Sequence, residues 1–290
     1  STSTDAPRAR RCTNGSPEPL VVLLTLPPAS LFDVHTHHPE KTADGAKHAF
    51  VASGFSLESN EEVMAFMRGR APSSPPCFFS LGLGPQEIQR KEKYPDLEKA
   101  ISEMEKQAEK AKKDAALSRS FVAIGEVGLD KHWGKTSGER ERQFLAFERM
   151  ITLAGKLSLP LIIHSRDAES ECIRQLLAAQ ALHAAGASSP ASGRPMRVLM
   201  HCFGGKLEQA KQAAEAGWLI SIPPQPNSER KKIIKELDIA SLVIESDAPY
   251  IGKTSEDTMK SAEMIARYRG MDVQMALGQT AENARRFFGI

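Results

Sequence analysis

The chain of 290 residues carries 38 basic and 36 acidic side chains, a net charge of +2, with 41% hydrophobic and 26% charged residues. That composition is ordinary for a globular protein, the length admits one barrel of about 250 residues, and the near-balance of charge excludes a chain coated in Lys and Arg while leaving room for a local basic groove. Cys12, Cys77, Cys172 and Cys202 form no CxxC pair and no apolar run reaches the ~20 residues of a membrane span, so neither a disulfide framework nor a zinc knuckle is indicated, and free thiols in a cytoplasmic compartment are expected, a nuclear or organellar one being the alternative.

Taken in chain order, residues 1–30 read as an N-terminal extension. Arg8, Arg10 and Arg11 precede the apolar run from Leu20 to Leu26, as in a secretory leader, but Pro19 and Pro27 bracket that run and keep it short. An extension whose apolar part packs on the body as an extra strand is expected instead. From residue 31 short apolar runs alternate with amphipathic stretches. The runs at 31–34, 48–51, 77–81, 121–125, 161–163, 197–200, 218–221 and 242–244 read as strands. Helices are expected near 57–69, 95–116, 138–157, 167–184, 206–216, 228–237, 256–269 and 273–288. Within the third of these, Phe144, Phe147, Ile151 and Ala154 repeat at helical spacing. The segment 184–195, rich in Ala, Ser, Gly and Pro, reads as a surface loop.

Eight strands, each followed by a helix, imply a parallel sheet closed into a (β/α)8 TIM-type barrel over residues 31–290. An open doubly wound sheet is the alternative, but no Gly-rich phosphate fingerprint follows the first strand.

Ionisable residues gather at the carboxyl ends of these strands, which is the face where barrel enzymes keep their active sites. They are Asp33-Val34-His35-Thr36-His37, Gly125-Glu126-Val127-Gly128-Leu129-Asp130, His164-Ser165-Arg166-Asp167, His201-Cys202-Phe203 and Glu245-Ser246-Asp247-Ala248-Pro249. Strand residues two apart point the same way, so His35 and His37 can aim at one ion. With His164, His201, Glu126 and Asp247 they make a nitrogen and oxygen set suited to Zn, Mg or Mn. Six ligands exceed the needs of one tetrahedral ion. Two divalent ions about 3.5–4 Å apart, bridged by Glu126, use them all. Asp247, touching the attacking water as well as an ion, is then the general base.

These blocks, in this order, resemble the five signature segments of the TatD family of metal-dependent deoxyribonucleases. Gln143 and Phe147 match the Gln-x-x-x-Phe element that follows the fourth-strand block, and Asn283, Arg286 and Phe287 match the closing helix. The resemblance runs from about residue 31 to the end. It implies a TIM-type barrel and a nuclease that degrades DNA from the 3′ end. It implies one ion on His35, His37 and Asp247, a second on His164 and His201, and Glu126 between them. Arg166 and Lys206 are the candidates to contact phosphate. Two departures fall on the substrate side. Many relatives carry Gly-x-His-Pro after strand 3, where this chain has Gly82-Leu83-Gly84-Pro85. Relatives also carry Arg-Asn-x-Pro after strand 8, where Tyr250 leads into Ile251-Gly252-Lys253-Thr254.

A concave mouth suits single-stranded DNA or a 3′ end, with Trp133, Phe203 and Tyr250 as candidate stacking surfaces. His38 and His132 read as solvated. Two other readings remain at this level: the same centre opening a small-molecule ester, lactone or amide, and a non-catalytic binding barrel.

Overall fold

The computed structural model describes residues 31–37, 48–71, 74–184 and 195–290. The N-terminal extension, His38 and nearly all of the loop at 184–195 lie outside them. Eight strands form one sheet in sequential order: β1 (Phe32–Thr36), β2 (Ala49–Ser53), β3 (Cys77–Leu81), β4 (Phe121–Asp130), β5 (Leu161–Arg166), β6 (Val198–Met200), β7 (Leu219–Ile222) and β8 (Leu242–Ile244). Every neighbouring pair from β1 to β8 is parallel. Just beyond β8, Asp247 N–H donates to His35 O (3.0 Å) and His37 N–H donates to Ala248 O (2.8 Å), which brings the last strand against the first. The fold is therefore the expected (β/α)8 barrel.

Helices follow the strands: α1 (Leu57–Gly69), the single turn α2 (Pro85–Ile88), α3 (Leu97–Lys113), α4 (Ser137–Leu157), α5 (Glu169–Ala184), α6 (Leu207–Glu215), α7 (Ser228–Glu236), α8 (Thr258–Arg269) and α9 (Val273–Phe288). Their starts are encoded locally. Thr136 accepts from the Glu139 backbone N–H while the Glu139 carboxylate accepts from Thr136 N–H, a reciprocal cap that satisfies two orphan donors of α4. Asp96 and Asn227 cap α3 and α7 through their side-chain oxygens. No helix among the described residues is long and apolar enough to cross a membrane.

Two apolar cores result. One lies between strands and helices. The other fills the ring, where Phe32, Val34, Val51, Val122, Ile162, Leu199 and Val243 meet Ala284, Phe287 and Phe288 of α9. Phe32 stands 6.0 Å from the ring of Phe78 and 6.2 Å from that of Phe288. The closing helix thus plugs the end of the barrel opposite the ionisable residues. Asn283 fastens it, donating to Ile239 O (2.7 Å) and Leu242 O (2.8 Å).

Several expected boundaries move. β4 runs on through Asp130 and β5 through Arg166, because Glu126, Asp130 and His164, which seemed to end them, pair with one another. β2 begins one residue later and ends two residues later than expected. In α4 the buried stripe is Gln143, Ala146, Phe147, Met150, Leu153 and Ala154, whereas Phe144 is 46% exposed. Apolar identity alone placed Phe144 on the wrong side of that helix.

Candidate metal centre

The expected residues meet at one end of the ring. His35 Nε2 lies 3.0 Å from His37 Nε2. Glu126 Oε2 is 3.4 Å from the first of these nitrogens and 3.3 Å from the second. Asp247 Oδ1 is 3.8 and 3.4 Å from the same pair. All four side chains are nearly inaccessible to solvent. The register of β1 against β2 shifts between Asp33 and Thr36, and that of β4 against β5 between Ile124 and Val127. The two irregularities fall at His35 and at Glu126, the usual means by which a strand re-aims a side chain into a site. Asp247 takes a left-handed backbone conformation (φ 47) and so does Cys202 (φ 44). Such positions cost about 1–3 kcal/mol and persist where surrounding structure enforces them.

A supporting set of side chains fixes which nitrogens face inward. Ser53 takes both outward atoms of the first histidine pair: its hydroxyl is 3.0 Å from His35 Nδ1 and its carbonyl 2.9 Å from His37 Nδ1. Ser80 Oγ donates to that hydroxyl (3.1 Å). Glu245 Oε2 lies 3.3 Å from His201 Nδ1, and its other oxygen accepts from Cys202 N–H (2.5 Å). Asp33 ties β1 to β8, accepting from Ser246 N–H (2.9 Å), Ser246 Oγ (2.6 Å), Ser255 Oγ (2.6 Å) and His35 N–H (3.2 Å). Burial still pushes its carboxyl up to about 7. Asp33, Asp130 and Glu245 stand inside the sequence motifs but no role was assigned to them there. Their signal was their spacing, two residues from a candidate ligand for Asp33 and Glu245 and four for Asp130, on an otherwise apolar strand.

The donor set fits a divalent cation. His35, His37 and Asp247 offer ligand atoms within 4.8 Å of one another, and so do His35, Glu126 and His201. Nitrogens and carboxylate oxygens without thiolate suit Zn, Mn or Mg. The second grouping differs from the sequence expectation, which paired His201 with His164. His164 instead bridges two carboxylates, with Nδ1 3.0 Å from Glu126 Oε1 and Nε2 2.8 Å from Asp130 Oδ2. The rings of His35 and His201 are stacked, with centroids 3.8 Å apart.

The charges follow from these contacts. Burial, together with the charge of His201, pushes His35 down to about 3. Burial opposes charge on His37 as well, but Asp247 and Glu126 outweigh it and lift that imidazole to about 10. Asp130 and Glu126 do the same for His164, also to about 10. Against the upward push of burial, His164, His35 and His37 hold Glu126 well below the usual carboxylate range. The free thiols are poor nucleophiles: burial pushes Cys77 up to about 12, and Cys172 and Cys202 upward too.

The substrate-side expectations divide. Arg166 is exposed at the end of β5, and its charge helps lower Asp130. Lys206 is exposed at the start of α6, where its backbone N–H donates to Gln209 Oε1 (2.7 Å). Phe203 is buried and offers no stacking face, whereas Trp133 is 51% and Tyr250 58% exposed. The Tyr250 ring stands edge-on to His37 at 5.1 Å. Gln86, not anticipated, donates from Nε2 to Glu126 Oε1 (3.0 Å).

A family model described as TatD related DNase matches residues 32–289. The chain is 30% identical to the uncharacterized metal-dependent hydrolase YabD of Bacillus subtilis (strain 168), over 61% of this chain and 69% of that protein. It is 33% identical to the human deoxyribonuclease TATDN3, over 58% of this chain and 60% of that one. With the 3′-5′ ssDNA/RNA exonuclease TatD of Enterobacter lignolyticus (strain SCF1) it shares 24% identity over 82% and 86% of the two chains. In structure it resembles YJJV, a TatD homolog from Escherichia coli K12. The TM-score is 0.72, at 21% identity over 91% of this chain and 99% of that one.

Proposed function

Because the chain belongs to the TatD-related DNase family, whose model spans residues 32–289, we propose that it is a metal-dependent hydrolase that cleaves phosphodiester bonds of DNA, working inward from a single-stranded 3′ end. The observation that carries this reading is the meeting of His35 Nε2, His37 Nε2, Glu126 Oε2 and Asp247 Oδ1 within 3.8 Å of one another or less along each measured contact. We assign one divalent ion to His35, His37 and Asp247 and a second to His164 and His201, with Glu126 shared between them. When bound, such a pair acidifies water and offsets charge on phosphoryl oxygens.

The chain's own side chains supply the rest. Asp247 accepts the proton of the attacking water, being the carboxylate of the cluster with access to solvent at one edge, where its side chain is 10% exposed. Glu245 and Asp130 orient His201 and His164 through the ring nitrogen turned away from the cluster. Substituting Asp130 by Asn is expected to loosen divalent-metal binding about 10–100-fold, read by competition against a chromogenic chelator; an unchanged affinity would remove Asp130 from this role. Arg166 faces phosphate at the rim.

Tyr250 and Trp133 offer exposed rings to unstacked bases. Changing Tyr250 to Ala is expected to cost about 1–3 kcal/mol of single-strand binding, seen as a higher KM on oligodeoxynucleotides with kcat little altered. A fall in kcat at constant KM would speak against stacking. The reading as a whole is tested by elemental analysis of the purified protein together with digestion of end-labelled oligonucleotides. About two ions per chain and early release of 3′-terminal nucleotides are expected. Turnover confined to esters or lactones on the same panel would replace the nuclease reading with the small-molecule one.

A further inference from the structure

Gln86 reaches the shared carboxylate from outside the five strand-end motifs, and the chain around it is built to let it do so. β3 ends at Leu81 and runs into Gly82-Leu83-Gly84-Pro85-Gln86. A Cβ on Gly82 would sit 2.3 Å from Glu126 O and 2.6 Å from Glu126 N, so only glycine lets this strand end lie against the Glu126 peptide. Gly84 then anchors the turn. Its N–H donates to Phe55 O (2.8 Å), and its carbonyl accepts from Ile88 N–H (3.0 Å). Gln143 Nε2 holds the next carbonyl, that of Pro85, at 3.1 Å.

With the backbone fixed, the Gln86 side chain folds back over Gly84. A Cβ on Gly84 would lie 2.8 Å from Gln86 Oε1, 2.9 Å from Nε2 and 3.0 Å from Cδ. The amide therefore fills the volume that a side chain at position 84 would take. Its Nε2 donates to Glu126 Oε1 (3.0 Å), while its Oε1 is buried with no hydrogen-bond partner among the described residues. A carboxylate only accepts, so the amino end of the amide must be the end that meets it.

We propose that Gln86 is a positioning residue for the second metal position: its amide pins Glu126 Oε1 in line with His164 Nδ1, using the space Gly84 leaves open. This rests on the reading of Glu126 as the shared ligand. The hydrogen bond on Oε1 favours a shared carboxylate that would present one oxygen to each ion. Oε2 faces His35 and His37 and lies 4.0 Å from His201, while Oε1 faces His164. Rotation of the carboxyl group would scramble that division, and the hydrogen bond on Oε1 opposes it. Partners of this kind that orient ligands affect metal affinity about 10–100-fold.

Two variants reach the same contact by different routes. Gln86→Met keeps the length and removes the donor. Gly84→Ala suits the backbone there (φ −64, ψ 146), and its methyl group displaces the amide. The metal-free wild type and both variants are titrated with Zn²⁺ against a chromogenic chelator, and metal-free melting is recorded alongside. The wild type should take up two ions. Both variants should weaken one binding step about 10–100-fold, leave the other step in place, and melt like the metal-free wild type. Unchanged titrations in both variants would overturn the inference, and so would equal weakening of both steps, which a merely structural role predicts. A wild type that binds fewer than two ions would instead remove the two-ion reading beneath it.

Discussion

Replacing Asp247 by Asn is expected to lower hydrolysis of single-stranded DNA by about 10²–10⁴-fold, the usual worth of a positioned proton acceptor, in a protein that remains folded. The fold survives because what holds Asp247 in place is largely backbone. Its N–H donates to His35 O, and its carbonyl accepts from Tyr250 N–H and Ile251 N–H at 2.9 Å each. The left-handed conformation at this position (φ 47) suits Asn as well as Asp, since both bond locally to their own backbone. The substitution therefore keeps shape and backbone and removes two properties of the side chain. An amide does not take a proton from water, and it is a weaker ligand beside His37 Nε2, 3.4 Å away. Single-turnover rates at saturating metal separate the two losses, because excess metal repairs a weak ligand and leaves a missing base unrepaired. A rate equal to wild type under those conditions would assign the proton to another group.

Much of the fold could be read from the chain because a strand in a closed parallel barrel is buried on both faces and so appears as a short apolar run. Phe32, Val34, Val51, Ile162 and Val243 filling the ring are the residues that made those runs visible. The rule fails where strands enter the mouth. Beyond Gly125 the residues are Glu126 and, four further on, Asp130, and beyond Ile163 come His164 and Arg166. These look like loop. Glu126, Asp130 and His164 satisfy one another's polar atoms, which lets the ladder continue through them.

The candidate ligands were legible for the same reason: an ionisable residue at the end of an apolar run is costly unless it is paired. What periodicity does not carry is which atom of each ring faces inward. That depends on Ser53, Glu245 and Asp130, whose contacts span 16 to 44 residues of sequence. The sequence placed His164 beside His201, and their rings stand 5.8 Å apart, but it did not show that His164 lies between Glu126 and Asp130. Gln86 was invisible for a further reason. Its contact with Glu126 crosses 40 residues and depends on Gly84 having no side chain, which no local pattern records.

The remaining large effect is one of pH. In the metal-free protein His37 and His164 hold their protons up to about 10, each lying between two carboxylates that outweigh its burial. An unperturbed imidazole titrates near ~6.5. A folded-state value raised above the unfolded one adds stability that is complete below about pH 6.5 and is lost as pH rises towards 10. The metal-free protein should therefore melt at progressively lower temperature between these limits. Metal binding has the opposite sign, because an imidazole must shed its proton before it can act as a ligand. His35, already neutral above about pH 3, releases nothing. At pH 7.5 loading both positions is then expected to release about two protons from His37 and His164, to which His201, lifted against its burial by Glu245, can add, so that the combined affinity climbs by about 10²-fold or more per pH unit. Calorimetric titration with Zn²⁺ or Mn²⁺ in buffers of differing ionisation enthalpy counts those protons directly, and the melting increment produced by metal should widen steadily from pH 6.5 to 9. Release of no protons at pH 7.5 would mean that His37 and His164 are neutral before metal arrives, and that Glu126 holds its charge without a compensating imidazolium.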